Sequence, residues 1–175
     1  RSELNRAINN VSHSIPTRTP SPILEGILIE TKDDRMYLTA TDTNMTIESN
    51  IPVDSEGDVS FVIEEKNFAN IVSKLPEEEI LMDYNHEKNQ IKINSGKSSS
   101  TFNCFSADEF PRFNIGEGKK LILSKRDIKN LIRKTSFSAS ADELNGVLTG
   151  ILIDLGDGNL RMVAVDTFRM AIYNA

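Results

Sequence analysis

Leu24-Glu-Gly-Ile-Leu-Ile29 returns 124 positions later as Leu148-Thr-Gly-Ile-Leu-Ile153, and the match extends beyond both ends. At the same offset Ala40-Thr-Asp-Thr43 lies on Ala164-Val-Asp-Thr167, Asp33 on Asp157, and Asn50 on Asn174. Upstream, Ile8, Ser12 and Ser14 fall on Ile132, Ser136 and Ser138. Short apolar runs coincide by chance, but an ungapped match through a helix, a loop and three strands reads as duplication. The repeated unit runs from Arg1 to Asn50 and again from Lys125 to Asn174.

Within the first copy, Leu4, Ala7, Ile8 and Val11 are spaced i, i+3, i+4 and i+7, which predicts an amphipathic helix over Arg1–Ile15. The prolines of Pro16-Thr-Arg-Thr-Pro-Ser-Pro22 end it, because each removes a backbone donor and biases its predecessor to extended geometry. Ile23–Glu30, Met36–Thr41 and Met45–Ile51 read as short strands, and Asp58–Ile63 as a fourth. Glu64–Lys74 is a second helix pattern, closed by Pro76, and Ile80–Tyr84, Gln90–Asn94 and Ser100–Phe105 are further strands. Ser106–Lys120 reads as a connector, Leu121–Leu123 as a strand, and Lys125–Ser138 as a third helix with Ser124 as its N-cap.

Helices and antiparallel strands in this order give an α+β fold of βαβββ halves, helices on one side and sheet on the other. The first copy continues through a second helix-and-strands half, whereas the second is expected to break off at Ala175. The expected organisation is a first domain over 1–115, a linker over 116–120, and the first half of a second domain over 121–175.

Composition narrows the class. No stretch approaches the roughly 20 apolar residues of a membrane span, so no membrane association is expected, and the single cysteine fits a reducing, cytoplasmic location. A lone cysteine, Cys104, excludes an internal disulfide framework, and without Cys or His clusters no structural metal or cofactor is expected. The net charge of −6 argues at first against nucleic acid, but its distribution matters more than its total. Lys119, Lys120, Lys125, Arg126, Lys129, Arg133 and Lys134 fall within sixteen positions, opposed only by Asp127. Acids collect instead in turns and strands, at Asp33-Asp34, Glu77-Glu78-Glu79, Asp108-Glu109, Asp154 and Asp157. On the third helix Ile128, Leu131 and Ile132 are expected to face the core while Lys125, Lys129 and Arg133 project elsewhere; Arg6, Lys66 and Lys74 add base to the other two. A basic face on one helix is commonly just solvated. Several on an acidic protein suit a surface that meets phosphates without reading sequence. No aromatics are interleaved with the bases, which argues against a single-strand stacking platform.

Arg18-Thr-Pro-Ser-Pro-Ile-Leu24, Leu38-Thr-Ala-Thr-Asp42, Ser106-Ala-Asp-Glu-Phe-Pro111, Val147-Leu-Thr-Gly150 and Val163-Ala-Val-Asp-Thr-Phe-Arg-Met170 together resemble the bacterial DNA polymerase III beta subunit family, the sliding clamps. The resemblance covers essentially the whole chain. It implies a DNA clamp fold in which three domains per subunit pair head to tail as a homodimeric ring around double-stranded DNA, helices lining the hole. It implies a non-catalytic processivity factor whose partners are the replicative polymerase alpha subunit, the clamp loader and other proteins carrying a clamp-binding motif.

Arg18 resembles a family arginine that reaches DNA, and the helix bases Arg6, Lys66, Lys74, Lys125, Lys129, Arg133 and Lys134 are expected, from their charge pattern, to meet it as well. By the same resemblance, Leu148, Val165, Thr167, Phe168, Arg169 and Met170 form one side of the partner-peptide pocket. The family usually has Gly at the position of Thr167 and often His at that of Phe168, which leaves the pocket's fine shape open. Ser100, Phe102 and Cys104 resemble the edge strand that joins subunits.

Two other functions remain open on the residues alone. Asp42 and Asp166 each follow an apolar strand and precede Thr, a placement used by phosphotransfer enzymes, although no glycine-rich phosphate loop accompanies them. A duplicated turn in which Asp accepts backbone hydrogen bonds fits both better. The other alternative is a protein-interaction scaffold without DNA.

Overall fold

The structure is a computed structural model and describes residues 1–76, 79–112, 120–156 and 158–174. The chain divides into two compact units, Arg1–Asn114 and Ile115–Ala175. The expected linker over 116–120 lies outside the described residues except for Lys120, as do Lys119, Glu77, Glu78 and Asp157.

In the first unit α1 (Ser2–Ser12) buries the expected stripe of Leu4, Ala7, Ile8 and Val11. Beyond its end Ser14 is fully buried, its hydroxyl at 2.8 Å from the carbonyls of both Val11 and Ala40, so the helix is stitched to the sheet beneath. The proline-rich loop leads through a 3-10 turn, Pro22–Glu25, into β1 (Gly26–Lys32), β2 (Arg35–Thr41) and β3 (Thr46–Pro52). Asp33 and Asp34 join β1 to β2 with φ of 51° and 54°, the mirror-image turn whose twist matches that of paired strands.

β4 (Ser60–Glu64), α2 (Glu65–Lys74), β5 (Leu81–Asn85), β6 (Gln90–Ser95) and β7 (Ser98–Asn103) complete one βαβββ run, followed by the short β8 (Phe105–Ser106). One sheet has the order β3-β2-β1-β4-β8 and the other β5-β6-β7. Strand side chains alternate between faces. Ile27, Ile29, Phe61 and Ile63 therefore join Ile8, Phe68, Val72, Ile91 and Ile93 in the main core. Leu28 and Val62 point the other way and are covered by Ile23, Ala107 and Phe110.

The second unit contains α3 (Lys125–Thr135), 3-10 turns at Ser136–Ser138 and Glu143–Thr149, and β9 (Leu152–Gly156), β10 (Asn159–Val165) and β11 (Met170–Asn174) in the order β11-β10-β9. The repeat holds at the level of individual pairings. Leu28 faces Thr39 and Leu152 faces Val163; Ala40 faces Ile47 and Ala164 faces Ala171. Every β9–β10 and β10–β11 pair lies 124 residues from a β1–β2 or β2–β3 pair.

Three expectations are corrected. Leu121–Leu123 is not a strand, although it stands before α3 as β4 stands before α2; β4 has β1 and β8 to pair with, and no described strand pairs with 121–123. Ile132 was expected in the core and is 45% exposed, whereas its counterpart Ile8 is fully buried. In the first unit α2 packs against α1, and α3 has no such neighbour among the described residues of its unit. The strand expected over Ser100–Phe105 is two strands, interrupted at Cys104.

Candidate nucleic-acid interface and peptide pocket

Helix α3 begins where Ser124 caps it. The Asp127 N–H donates to Ser124 Oγ at 3.0 Å, and Ser124 Oγ donates back to the Asp127 carboxylate at 2.6 Å. This reciprocal cap satisfies an otherwise orphaned donor and fixes the rotation of the first turn. From that start Lys125, Lys129, Arg133 and Lys134 are all exposed, while Leu131 and Thr135 are buried against the sheet. Arg133 and Lys134 stand in the last turn, where the helix dipole favours cations.

Helical spacing separates these bases. Arg126, Lys129 and Arg133 are spaced i, i+3 and i+7 and share a face that Lys125 flanks. Arg126 was absent from the expected contact set, and that spacing was the signal that could have included it. Lys134 lies off this face, its ammonium 4.2 Å from the centre of the Tyr173 ring in a cation–π contact.

In the first unit Arg6 on α1 and Lys66 and Lys74 on α2 are exposed, the latter two separated by two helical turns. Arg18 is exposed in the loop after α1, where the Ser21 N–H donates to Thr19 Oγ1 at 3.1 Å.

The second cluster surrounds the β10–β11 turn. Val165 ends β10, Thr167, Phe168 and Arg169 form the turn, and Met170 begins β11 directly opposite Val165. Asp166 organises it. Its carboxylate accepts the N–H groups of Phe168 and Arg169, each at 2.8 Å, and the Arg169 guanidinium at 2.9 Å. Phe168 is thereby held 95% exposed and Met170 61% exposed, while Leu148, in the turn Glu143–Thr149, is half-buried. The first unit repeats the device. Asp42 accepts the N–H groups of Asn44 at 2.8 Å and Met45 at 2.6 Å. Bonds from Met45 and Asn44 hold the Asp42 carboxyl below its usual range; those from Phe168 and then Arg169 do the same for Asp166. Both aspartates are turn organisers, Asp42 through Oδ1 and Asp166 through both carboxylate oxygens. No group of three or more acidic, His or Cys side chains is placed to share a metal among the described residues.

The third cluster is the edge strand β7, which among the described residues pairs only with β6. Ser100 is half-buried on it, and Phe102 faces Ile91 and packs on the main core rather than standing free. Cys104 lies in the break between β7 and β8, its N–H donating to the Asn89 carbonyl at 2.7 Å. Burial pushes its thiol up to about 11. No helix among the described residues is long and apolar enough to cross a membrane.

Comparison with known proteins gives these clusters a context. The N-terminal domain of the DNA polymerase III beta subunit matches residues 1–114, and that subunit's central domain matches residues 122–175. The beta sliding clamp of Halalkalibacterium halodurans is 36% identical, over 94% of this chain and 46% of its own. The crystal structure of the beta subunit from Streptococcus pyogenes superposes with a TM-score of 0.93 at 30% identity, over 99% of this chain and 48% of that one. A sliding clamp from Bartonella birtlesii, bound to griselimycin, gives 0.91 at 26% identity, over 99% and 48%. The chain spans about half the length of the curated relatives it matches. The fold is therefore the clamp fold, and the chain belongs to the DNA polymerase III beta subunit family.

Proposed function

We propose that this chain is part of a processivity factor, a homodimeric ring that encircles duplex DNA without sequence specificity and tethers the replicative polymerase to its template. The chain contributes the first domain of each subunit and part of the second. The observation that carries the reading is the face of α3, where Lys125, Arg126, Lys129 and Arg133 stand exposed on an otherwise acidic protein. Such a face attracts phosphates of any sequence, and the acidic remainder repels them. The exposed pair Phe168 and Met170, fixed by Asp166, supports a docking place for apolar residues of peptides from the polymerase alpha subunit, the clamp loader and other clamp-binding proteins. The outer edge of β7, paired with no described strand, supports subunit pairing by strand addition. The location proposed is the cytoplasm.

Primer extension with the full-length protein, its loader and its polymerase tests this. Lys129→Glu with Arg133→Glu reverses two exposed charges and should shorten the products synthesised per binding event at physiological salt. Product lengths unchanged by the double reversal would remove α3 from the DNA-facing surface. A scaffold without DNA contact would show no effect of the protein on product length at all.

A further inference from the structure

The 124-residue offset aligns α1 and α3 position by position, because both helices turn the same stripe inward: Leu4 with Ile128, Ala7 with Leu131, Val11 with Thr135. Their outward positions can therefore be compared directly. Where α3 carries Lys129, Arg133 and Lys134, α1 carries Asn5, Asn9 and Asn10. Asn9 and Asn10 are exposed and Asn5 is half-buried. On α2 a further exposed amide, Asn70, stands between Lys66 and Lys74 one helical turn from each.

We propose that Asn5 and Asn9 are phosphate-contacting groups that carry no charge, so that α1, with Arg6 as its one exposed cation, meets the DNA backbone mainly by hydrogen bonding while α3 supplies most of the ionic attraction. The inference rests on the clamp reading above and assigns different work to the two helices. A side-chain amide donates hydrogen bonds to a phosphate oxygen but displaces no counterion. A lysine or arginine does both, and each neutralised phosphate steepens the salt dependence of binding. Of these two helices, α3 therefore carries the greater salt sensitivity. The amides of α1 add affinity that salt does not remove. The free cations that count on α3 are those of the Arg126–Lys129–Arg133 face, since Lys134 is engaged with the Tyr173 ring.

The test uses full-length protein and a short linear duplex of random sequence, with affinity measured by fluorescence anisotropy over a series of potassium chloride concentrations. Retention of the unaltered ring on closed circular duplex is measured first; its absence refutes the clamp reading itself. With retention established, Lys129→Gln plus Arg133→Gln should flatten the plot of log affinity against log salt by about 1.8, at roughly 0.9 for each phosphate contact. Asn5→Ala plus Asn9→Ala should weaken binding about threefold to tenfold at every salt concentration with the slope unchanged. Asn9→Arg should steepen the slope by about 0.9, because it installs on α1 the residue that α3 carries at the matching position. Unchanged affinity in the alanine pair, or an unchanged slope in Asn9→Arg, overturns the proposal while leaving the clamp reading intact.

Discussion

Gly26 and Gly150 occupy the same place in the two copies of the repeated motif, yet replacing them with alanine should have opposite outcomes in this 175-residue chain. A Cβ added at Gly26 would lie 2.5 Å from Val62 Cγ1, 3.1 Å from the Ile63 carbonyl oxygen and 3.2 Å from that of Ile23. The Ile63 carbonyl cannot retreat without disturbing the β1–β4 ladder, and the Ile23 carbonyl cannot without loosening the bond it accepts from the Gly26 N–H. Val62 is stiff about its first side-chain torsion and fully buried among Ile23, Leu28, Ala107 and Phe110. Overpacking of this kind costs about 1–3 kcal/mol. Against it stands a gain of roughly 0.4–1 kcal/mol from restricting the unfolded chain, since φ at Gly26 is −103° and open to alanine. Gly26→Ala should therefore lose about 1–2 kcal/mol net.

At Gly150 the added Cβ meets only the Val147 carbonyl oxygen, at 3.5 Å, an ordinary contact, and φ is −97°. Gly150→Ala should be neutral or stabilising by up to about 1 kcal/mol. Urea denaturation followed by far-UV circular dichroism reads both, with hydrogen exchange at β1 assigning the loss to the first unit. A double-mutant cycle with Val62→Ala should recover about 1 kcal/mol of the Gly26→Ala loss, because the clashing methyl is gone. Equal losses at the two glycines, or additivity with Val62→Ala, would refute the steric argument.

Thr43 is β-branched and sits at φ 77°, a left-handed conformation that costs such a residue about 1–2 kcal/mol. Thr43→Gly should raise stability by up to about 1 kcal/mol in the same denaturation assay, after the entropy that glycine gives back to the unfolded chain. Removing the cap of α3 with Ser124→Ala should cost about 1 kcal/mol of helix stability, seen as faster amide exchange in its first turn. Cys104, with its thiol raised from 9.0 to about 11, should react with iodoacetamide at pH 8 roughly 100-fold more slowly than in the unfolded chain. Because the folded state holds that proton more tightly, Cys104 also makes stability fall as pH rises from 9 towards 11. The carboxyls of Asp42 and Asp166 lie below 3.8 when folded, so their contribution is complete above that pH and disappears as pH falls beneath it. Asp42→Asn should flatten that acid limb, measured as melting temperature against pH.

The duplication was legible in the residues, and so was what depends on it. An ungapped offset predicts equal strand registers, and the β9–β10–β11 pairings repeat those of β1–β2–β3. The twin turns at Asp42 and Asp166 were likewise readable, because an aspartate before a turn has two nearby N–H donors to accept. What could not be read was cover. Periodicity reports which residues could be buried and is silent on what buries them. Ile8 and Ile132 carry the same signal, and among the described residues only Ile8 has a second helix packed against its own. Leu121–Leu123 has the composition of a strand without a described partner, and a strand exists only as one member of a pair. The contacts that separate Gly26 from Gly150 come from β4, remote in sequence from both.

The claim on which the account depends is topological. Full-length protein assembled on nicked circular duplex should remain bound through gel filtration in buffer of physiological salt, and should be released when a restriction enzyme cuts the circle. Binding that is the same on circular and linear DNA would contradict a ring that holds its template by enclosure.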